Sequence, residues 1–151
     1  MGNVLAMLAA SVAVVFCTPS LAVTPAQEQA FVDTYRKAFE GKDASTLHSL
    51  LYAKGADPKA LGFYRMMTTV GMGSKIASIA LVELTPDDRA RADRTMPSPD
   101  GKLLKLPLKP VKKLVVRVET KSADASSTGT SQVFVAEHDG RLWIPVPAPA
   151  E

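Results

Sequence analysis

The chain has 151 residues, of which 46% are hydrophobic and 22% are charged, and its formal net charge is +3. This length and composition are typical of one globular domain and argue against a disordered or fibrous chain. A net charge of +3 is too small to indicate a polyanionic partner, so we expect no binding of nucleic acid.

The first 22 residues have the features of a secretory signal peptide. Every residue from Val4 to Cys17 is apolar or small, and this run is shorter than the roughly 20 apolar residues that span a bilayer. The tripeptide ending at Ala22 places small residues where a signal peptidase requires them. We therefore predict cleavage after Ala22, a mature chain from Val23, a periplasmic or extracellular location, and no stable membrane insertion after cleavage.

Cleavage at this position removes the only cysteine and the only asparagine of the chain. The mature protein would then form no disulfide, so its stability would depend on packing alone. A lipid-anchored alternative starting at Cys17 is disfavoured, because Phe16 stands where a small residue is required. The absence of Lys and Arg before Val4 is the feature that fits a signal peptide least.

The first half of the mature chain predicts three helices. Thr24 to Gln27 forms a capping box with proline in the first turn, and the helix then runs to about residue 40. Asp43 is the expected cap of a shorter helix that ends near residue 55. Asp57 caps a third helix that reaches about residue 70. Its apolar residues form a broad arc: Ala60, Phe63, Met66, Met67 and Val70.

The second half predicts strands. The apolar stretch 76–84 fits a strand best, although a helix stays open. A loop over 96–101, a short edge strand over 103–108 and an alternating strand over 113–121 follow. A Ser, Thr and Gly cluster is expected to turn the chain. Segments 133–136 and 141–146 then form a hairpin, so that 23–147 is one domain and 148–151 an extended proline-rich tail unable to pair regularly.

One helical motif resembles a known family. Its residues are Phe31-x-x-x-Tyr35-x-x-Ala38-Phe39-x-Gly41-Lys42-Asp43, followed by Leu47, Leu50 and Leu51. This pattern resembles the opening helical pair of the nuclear transport factor 2-like superfamily. The resemblance implies an α+β domain, with N-terminal helices packed on a curved antiparallel sheet in a cone-like shape that leaves a pocket at one end. The superfamily includes isomerases, dehydratases and scaffolding domains, so the fold selects no function.

The residue types favour binding over catalysis. We expect a small exported binding or accessory domain with an apolar pocket for a small apolar ligand, and no metal or cofactor. The candidate ligand-binding residues are Tyr35, Phe39, Phe63, Met67 and Trp143.

Two alternatives stay open. The first is an isomerase- or dehydratase-type enzyme that uses His48 and Tyr35, although a lone histidine beside an apolar helix face is more often a boundary residue. The second is an extracytoplasmic protein-interaction module that uses the sheet face and Trp143. A homodimer is compatible with each of these hypotheses.

Overall fold

The structure is a computed structural model that describes residues 22–150. The predicted signal peptide lies almost entirely outside the described residues. In chain order the elements are α1 (Pro25–Glu40), α2 (Ala44–Ser49), β1 (Leu51–Tyr52), α3 (Pro58–Thr69), β2 (Lys75–Glu83), α4 (Pro86–Ala92), β3 (Met96–Pro97), β4 (Leu103–Lys105), β5 (Pro110–Lys121), β6 (Ser126–His138), β7 (Arg141–Pro145) and β8 (Ala148–Pro149).

These elements form an α+β fold, as the sequence predicted. Five strands make an open sheet in the order β1-β7-β6-β5-β2, and a second sheet has the order β3-β4-β8. The expectation of a wholly antiparallel sheet is wrong, because β1 runs parallel to β7. This pairing gives hydrogen-bond partners to backbone N–H groups on the outer side of β7 and just after it. The Ile144 N–H donates to the Leu50 carbonyl at 2.9 Å, and the Val146 N–H donates to the Tyr52 carbonyl at 3.2 Å.

The helix starts follow the predicted caps. The Gln27 N–H donates to the Thr24 hydroxyl, while the Gln27 side chain accepts from the Thr24 N–H at 2.8 Å. The carboxylate of Asp57 accepts the N–H groups of Lys59 and Ala60, each at 3.0 Å. These side chains satisfy N–H groups that have no partner within the helix.

Two predicted boundaries are wrong. The second helix ends at Ser49 rather than near residue 55, because the chain straightens into β1 beside β7. The Ser, Thr and Gly cluster does not turn the chain but belongs to β6, which pairs with β5 from Ser126 onwards. The turn is shorter, with the Ser122 N–H donating to the Ala125 carbonyl. Both faces of this part of the hairpin are exposed, so polar residues fit either face.

The stretch 76–84 forms a strand as far as residue 83, within β2, which settles the choice between strand and helix that the sequence left open. The expected loop over 96–101 contains the short strand β3, which pairs with β4. The C-terminal segment is extended as expected, but the expectation that it would not pair is wrong. Ala148 and Pro149 lie opposite β4, and the Ala150 N–H donates to the Leu103 carbonyl at 2.8 Å. Prolines fit there because β8 is an edge strand.

The core lies between α1 and the inner face of the five-stranded sheet. Leu47, Leu114, Val135, Ile144 and Val146 have no exposed surface. The apolar face of α1 completes this cluster with Phe31, Tyr35, Ala38 and Phe39. Burying such side chains stabilises a fold by about 1.5–3 kcal/mol each.

A buried carboxylate attaches α4 to the sheet. Asp88 is 1% exposed and accepts hydrogen bonds from the Lys113 ammonium at 2.9 Å, from the Thr85 N–H at 3.1 Å and from the Arg91 guanidinium. The Lys113 hydrogen bond, with support from Thr85 and Arg91, holds the pKa of the Asp88 carboxyl well below its usual range. The charged form is therefore the one that the fold stabilises.

We expect Asp88→Asn to destabilise the protein at neutral pH, because the half-buried Lys113 loses its anionic partner. A carboxyl whose pKa is lowered by folding contributes stability above its unfolded pKa of about 3.9, and this stability is lost as the pH falls towards its folded pKa. The difference in unfolding free energy between wild type and variant should therefore shrink below about pH 4. Urea unfolding across the acid range measures it. The exposed neighbour Asp87, replaced as Asp87→Asn, is the control, and an equal effect of both variants would contradict the assignment.

Candidate functional site

Two apolar grooves lie beside α3, one at its N-terminal half and one at its C-terminal end. The first, the Tyr35 groove, has a volume of about 250 Å³ and lies between α1, the end of α3 and the β5–β6 hairpin. It is lined by Tyr35, Phe39, Met67, Val70, Gly71, Val116, Val118, Thr120, Gly129, Thr130 and Ser131. It therefore brings together three of the five predicted ligand-binding residues: Tyr35, Phe39 and Met67.

Tyr35 supplies the polar group deepest in this groove. Its side chain is 5% exposed, and its ring stacks on Phe39 with centroids 6.2 Å apart and an interplanar angle of 11°. Within residues 22–150 no protein group bonds its hydroxyl, and no fully buried side-chain oxygen lacks a partner. The hydroxyl therefore retains some exposed surface, and Tyr35 is one of the residues that line the groove. Burial raises the Tyr35 pKa from 10.0 to about 12, so at neutral pH this group is a hydrogen-bond donor.

Two glycines keep the groove open. Gly71 follows α3 with a φ of +80°, a conformation that favours glycine, and a Cβ on it would stand 3.6 Å from the Phe39 ring. Gly129 lies opposite Val118 in the β5–β6 pairing. A Cβ on Gly129 would meet no atom within 4 Å. A larger side chain at Gly129 would therefore project into free space at the groove.

Phe63 lies one helical turn before Met67 on α3, in a second groove of about 360 Å³. The lining of this Phe63 groove includes Phe63, Tyr64, Met96, Pro97, Leu104 and Pro147. Part of the apolar arc is exposed to solvent: Met66 is 55% exposed, and Val70, the C-cap residue that also lines the Tyr35 groove, is 67% exposed. The predicted ligand-binding residues on α3 are thus divided between two sites.

Trp143 lines neither groove. Its indole N–H donates to the His138 carbonyl at 3.1 Å, and the Arg141 guanidinium lies 4.3 Å from the ring centroid. The Tyr52 ring meets it edge-on, with centroids 5.7 Å apart. These contacts give the half-buried Trp143 a structural role at the β6–β7 hairpin.

His48 is not brought into the Tyr35 groove. Its Nε2 lies 3.4 Å from the Arg65 carbonyl, so the ring bridges α2 and α3. The groove lining contains no titratable side chain besides Tyr35. The pair of His48 and Tyr35 that an isomerase or dehydratase would use is therefore not assembled in this groove.

The described residues contain no helix long and apolar enough to cross a membrane. Within the same range, no three His, Cys, Asp or Glu side chains stand close enough together to hold a metal ion.

Comparison with known proteins identifies no relative: no family model matches the chain, and no curated protein or solved structure shows significant similarity to it.

The sequence did not indicate the hairpin side of the Tyr35 groove. Thr130 and Ser131 fell in the segment expected to turn, so their place beside Val116 and Val118 was not foreseen. The alternation of the predicted strand 113–121 did place Val116 and Val118 on one face, but no signal in the sequence linked that face to Tyr35.

Replacing Tyr35 by phenylalanine tests the environment of its hydroxyl. Because no described group bonds this hydroxyl, we expect Tyr35→Phe to change the unfolding free energy at neutral pH by less than about 1 kcal/mol. At high pH the unfolded tyrosine ionises near 10.0, whereas folded Tyr35 stays protonated until about 12. Wild-type stability therefore falls as the pH rises through this range.

The Tyr35→Phe variant should lose less stability over the same alkaline range, which denaturant titrations at stepped pH would measure. Identical losses in both proteins would show that Tyr35 is as accessible in the folded chain as in the unfolded one.

Proposed function

We propose that the protein is a small exported binding domain whose ligand is a small, largely apolar molecule with one hydrogen-bond acceptor. The observation that carries the proposal is the unbonded hydroxyl of Tyr35 in a groove with aromatic and aliphatic walls. Such an arrangement, an apolar surface with one well-placed polar group, is typical of small-molecule sites.

The size and polarity of the groove define the class of ligand. A volume of about 250 Å³ lies just below the usual range for drug-sized ligands, roughly 300–1,000 Å³, and suits one ring or a short chain. No charged side chain lines it, so an ionic ligand would be desolvated without a counter-charge. A carbonyl or ether oxygen could accept the proton of the Tyr35 hydroxyl.

The absence of a base from the lining favours binding over catalysis. General acid–base catalysis requires a titratable group within hydrogen-bond reach of the substrate. Tyr35 is the only such group in the lining, and its raised pKa keeps it protonated at neutral pH. An isomerase or dehydratase working in this groove would need a base that the lining residues do not supply.

The location of the groove agrees with the resemblance to the nuclear transport factor 2-like superfamily. That resemblance implies a pocket between the N-terminal helices and the sheet, and the Tyr35 groove lies between α1, α3 and the β5–β6 hairpin. A cone-like shape for this domain is part of the same proposal, and the packing of α1 against the open sheet supports it.

Export is compatible with the packing of the N-terminus. Cleavage after Ala22 would leave the cap residue Thr24 and all of α1 in the mature chain. Val23 is half-buried and packs against the core cluster, so it would also be retained. The proposed mature protein thus keeps each of these contacts.

A matched ligand pair tests the binding proposal. Acetophenone has one ring and one carbonyl, whereas ethylbenzene has the ring without the acceptor. We expect acetophenone to shift the amide NMR signals of Gly71 and Gly129, and ethylbenzene to bind about tenfold more weakly, the effect of one lost hydrogen bond of roughly 1.4 kcal/mol. Tyr35→Phe should make the two affinities equal.

A blocking variant provides the control for location. Gly129→Val should abolish these shifts by filling the groove, whereas Thr128→Val on the neighbouring residue of β6, which does not line the groove, should leave them unchanged. Shifts that persist in Gly129→Val, or that appear only at the Phe63 groove, would refute the assignment of the site.

A further inference from the structure

Four large apolar side chains along one face of α3 and at its C-cap are exposed to solvent. Their exposed fractions lie between 41% and 67%, and the residues are Phe63, Met66, Met67 and Val70. Residues three and four positions apart on a helix are neighbours, so these side chains form one continuous apolar patch. A contiguous exposed patch of this kind marks a binding site, whereas scattered single exposed residues do not.

This patch joins the two grooves beside α3. Met67 lines the Tyr35 groove, and Phe63 lines the Phe63 groove. The two residues are four positions apart on α3, so their Cβ atoms lie about 5–6 Å from each other on the same face of the helix. Apolar surface therefore continues from one groove to the other across this pair of side chains.

The Phe63 groove offers apolar walls whose polar neighbours are already paired. Its charged lining residues, Asp57 and Lys59, lie at the start of α3. The Asp57 carboxylate caps the helix by accepting two backbone N–H groups, and the Lys59 ammonium lies 3.6 Å from the Asp100 carboxylate. The groove therefore suits the apolar part of a ligand, and it requires no charged group on that ligand.

We propose that the two grooves together hold one neutral amphiphile, with a carbonyl or ester group at one end and an unbranched hydrocarbon chain at the other. This inference rests on the proposed function of the Tyr35 groove. The carbonyl oxygen of the ligand accepts the hydrogen bond of the Tyr35 hydroxyl. The chain then crosses Met67 and Phe63 and ends beside Leu104 in the Phe63 groove.

The spacing along α3 sets the length of this chain. Ala60 is the residue of α3 that lines the Phe63 groove nearest to the helix start among its apolar residues, and Met67 lines the Tyr35 groove. At a rise of 1.5 Å per residue the two are separated by about 10 Å, the extended length of roughly eight carbon atoms. The Tyr35 groove, at about 250 Å³, holds only the polar end and the first carbon atoms, whereas both grooves together reach the volume of ordinary ligand sites.

A chain-shaped ligand also accounts for the position of the exposed patch. A chain in both grooves covers Phe63 and Met67, the two patch residues that link the grooves, and removes their apolar surface from water. A flat partner surface would instead rest on Met66, which lines neither groove. The continuity of the patch with the proposed ligand site therefore favours a chain as its occupant.

Two methyl ketones that differ only in chain length test the proposal by NMR titration. We expect 2-pentanone and 2-decanone both to shift the amide signals of Gly71 and Gly129, which line the Tyr35 groove. Only 2-decanone should also shift those of Ala60 and Leu104, which line the Phe63 groove. Because each methylene taken out of water strengthens binding about twofold to fourfold, 2-decanone should bind about thirtyfold more tightly or better.

A charge placed where the grooves meet provides the matching variant. Phe63 is half exposed and does not line the Tyr35 groove. Phe63→Asp should therefore lower the affinity for 2-decanone to nearly that for 2-pentanone and leave the affinity for 2-pentanone unchanged. Val111→Asp makes the same change at an exposed apolar residue that lines neither groove, and it should alter neither affinity.

The possible outcomes separate this inference from the proposed function. Shifts by 2-decanone that stay confined to Gly71 and Gly129 would assign the patch to a macromolecular partner and overturn the proposal, while the Tyr35 site would stand. An affinity advantage of 2-decanone that survives in Phe63→Asp would also overturn it. Mapping the shifts on the wild type decides the question even if Phe63→Asp does not fold. If neither ketone shifts Gly71 or Gly129, the proposed function fails, and this inference fails with it.

Discussion

The packing of one helical face against one sheet face determines most of this structure. Phe31, Tyr35 and Phe39 lie along α1 at helical spacing and contact strands β5 to β7 through residues such as Leu114 and Ile144. Residues 22–150 contain no cysteine, so no covalent bond between side chains supports this contact. Apolar burial is therefore the main stabilising term. The other helices are also attached to this unit by polar contacts, such as the Asp57 N–H that donates to the Pro147 carbonyl before α3 and the ion pair of Asp88 with Lys113.

The same packing creates the proposed ligand site. Towards the turn of the β5–β6 hairpin the sheet residues become exposed, and glycine at position 129 leaves space that a side chain would fill. Tyr35 stands at this boundary, because it belongs to the core cluster and also lines the groove. At the β2 edge of the sheet, a further groove of about 400 Å³ lies between α1 and β2. Both the Tyr35 groove and this one therefore lie where the packing of α1 on the sheet is incomplete.

The sequence predicted the local elements well and the long-range ones less well. Caps such as Thr24 and Asp57 act through residues two or three positions away, so their pattern is readable along the chain. The parallel pairing of β1 and the pairing of the C-terminal segment with β4 depend on contacts between distant residues, and no local signal encodes them. Phe63 and Met67 illustrate the limit for the site. They share the apolar arc of α3 but line different grooves, because different distant segments lie beside them. The groove at Met67 is formed with β5 and β6, and the groove at Phe63 is formed with β3, β4 and Pro147.

The central claim is that this protein carries a small apolar ligand in the Tyr35 groove outside the cytoplasm. Native mass spectrometry of the protein, recovered from the extracytoplasmic fraction of its own host, tests the claim directly. The account predicts a polypeptide that begins at Val23 and retains a small neutral molecule, which organic solvent releases and which Gly129→Val does not retain. A polypeptide that keeps its first 22 residues, or a wild-type mass equal to that of the bare chain, would contradict it.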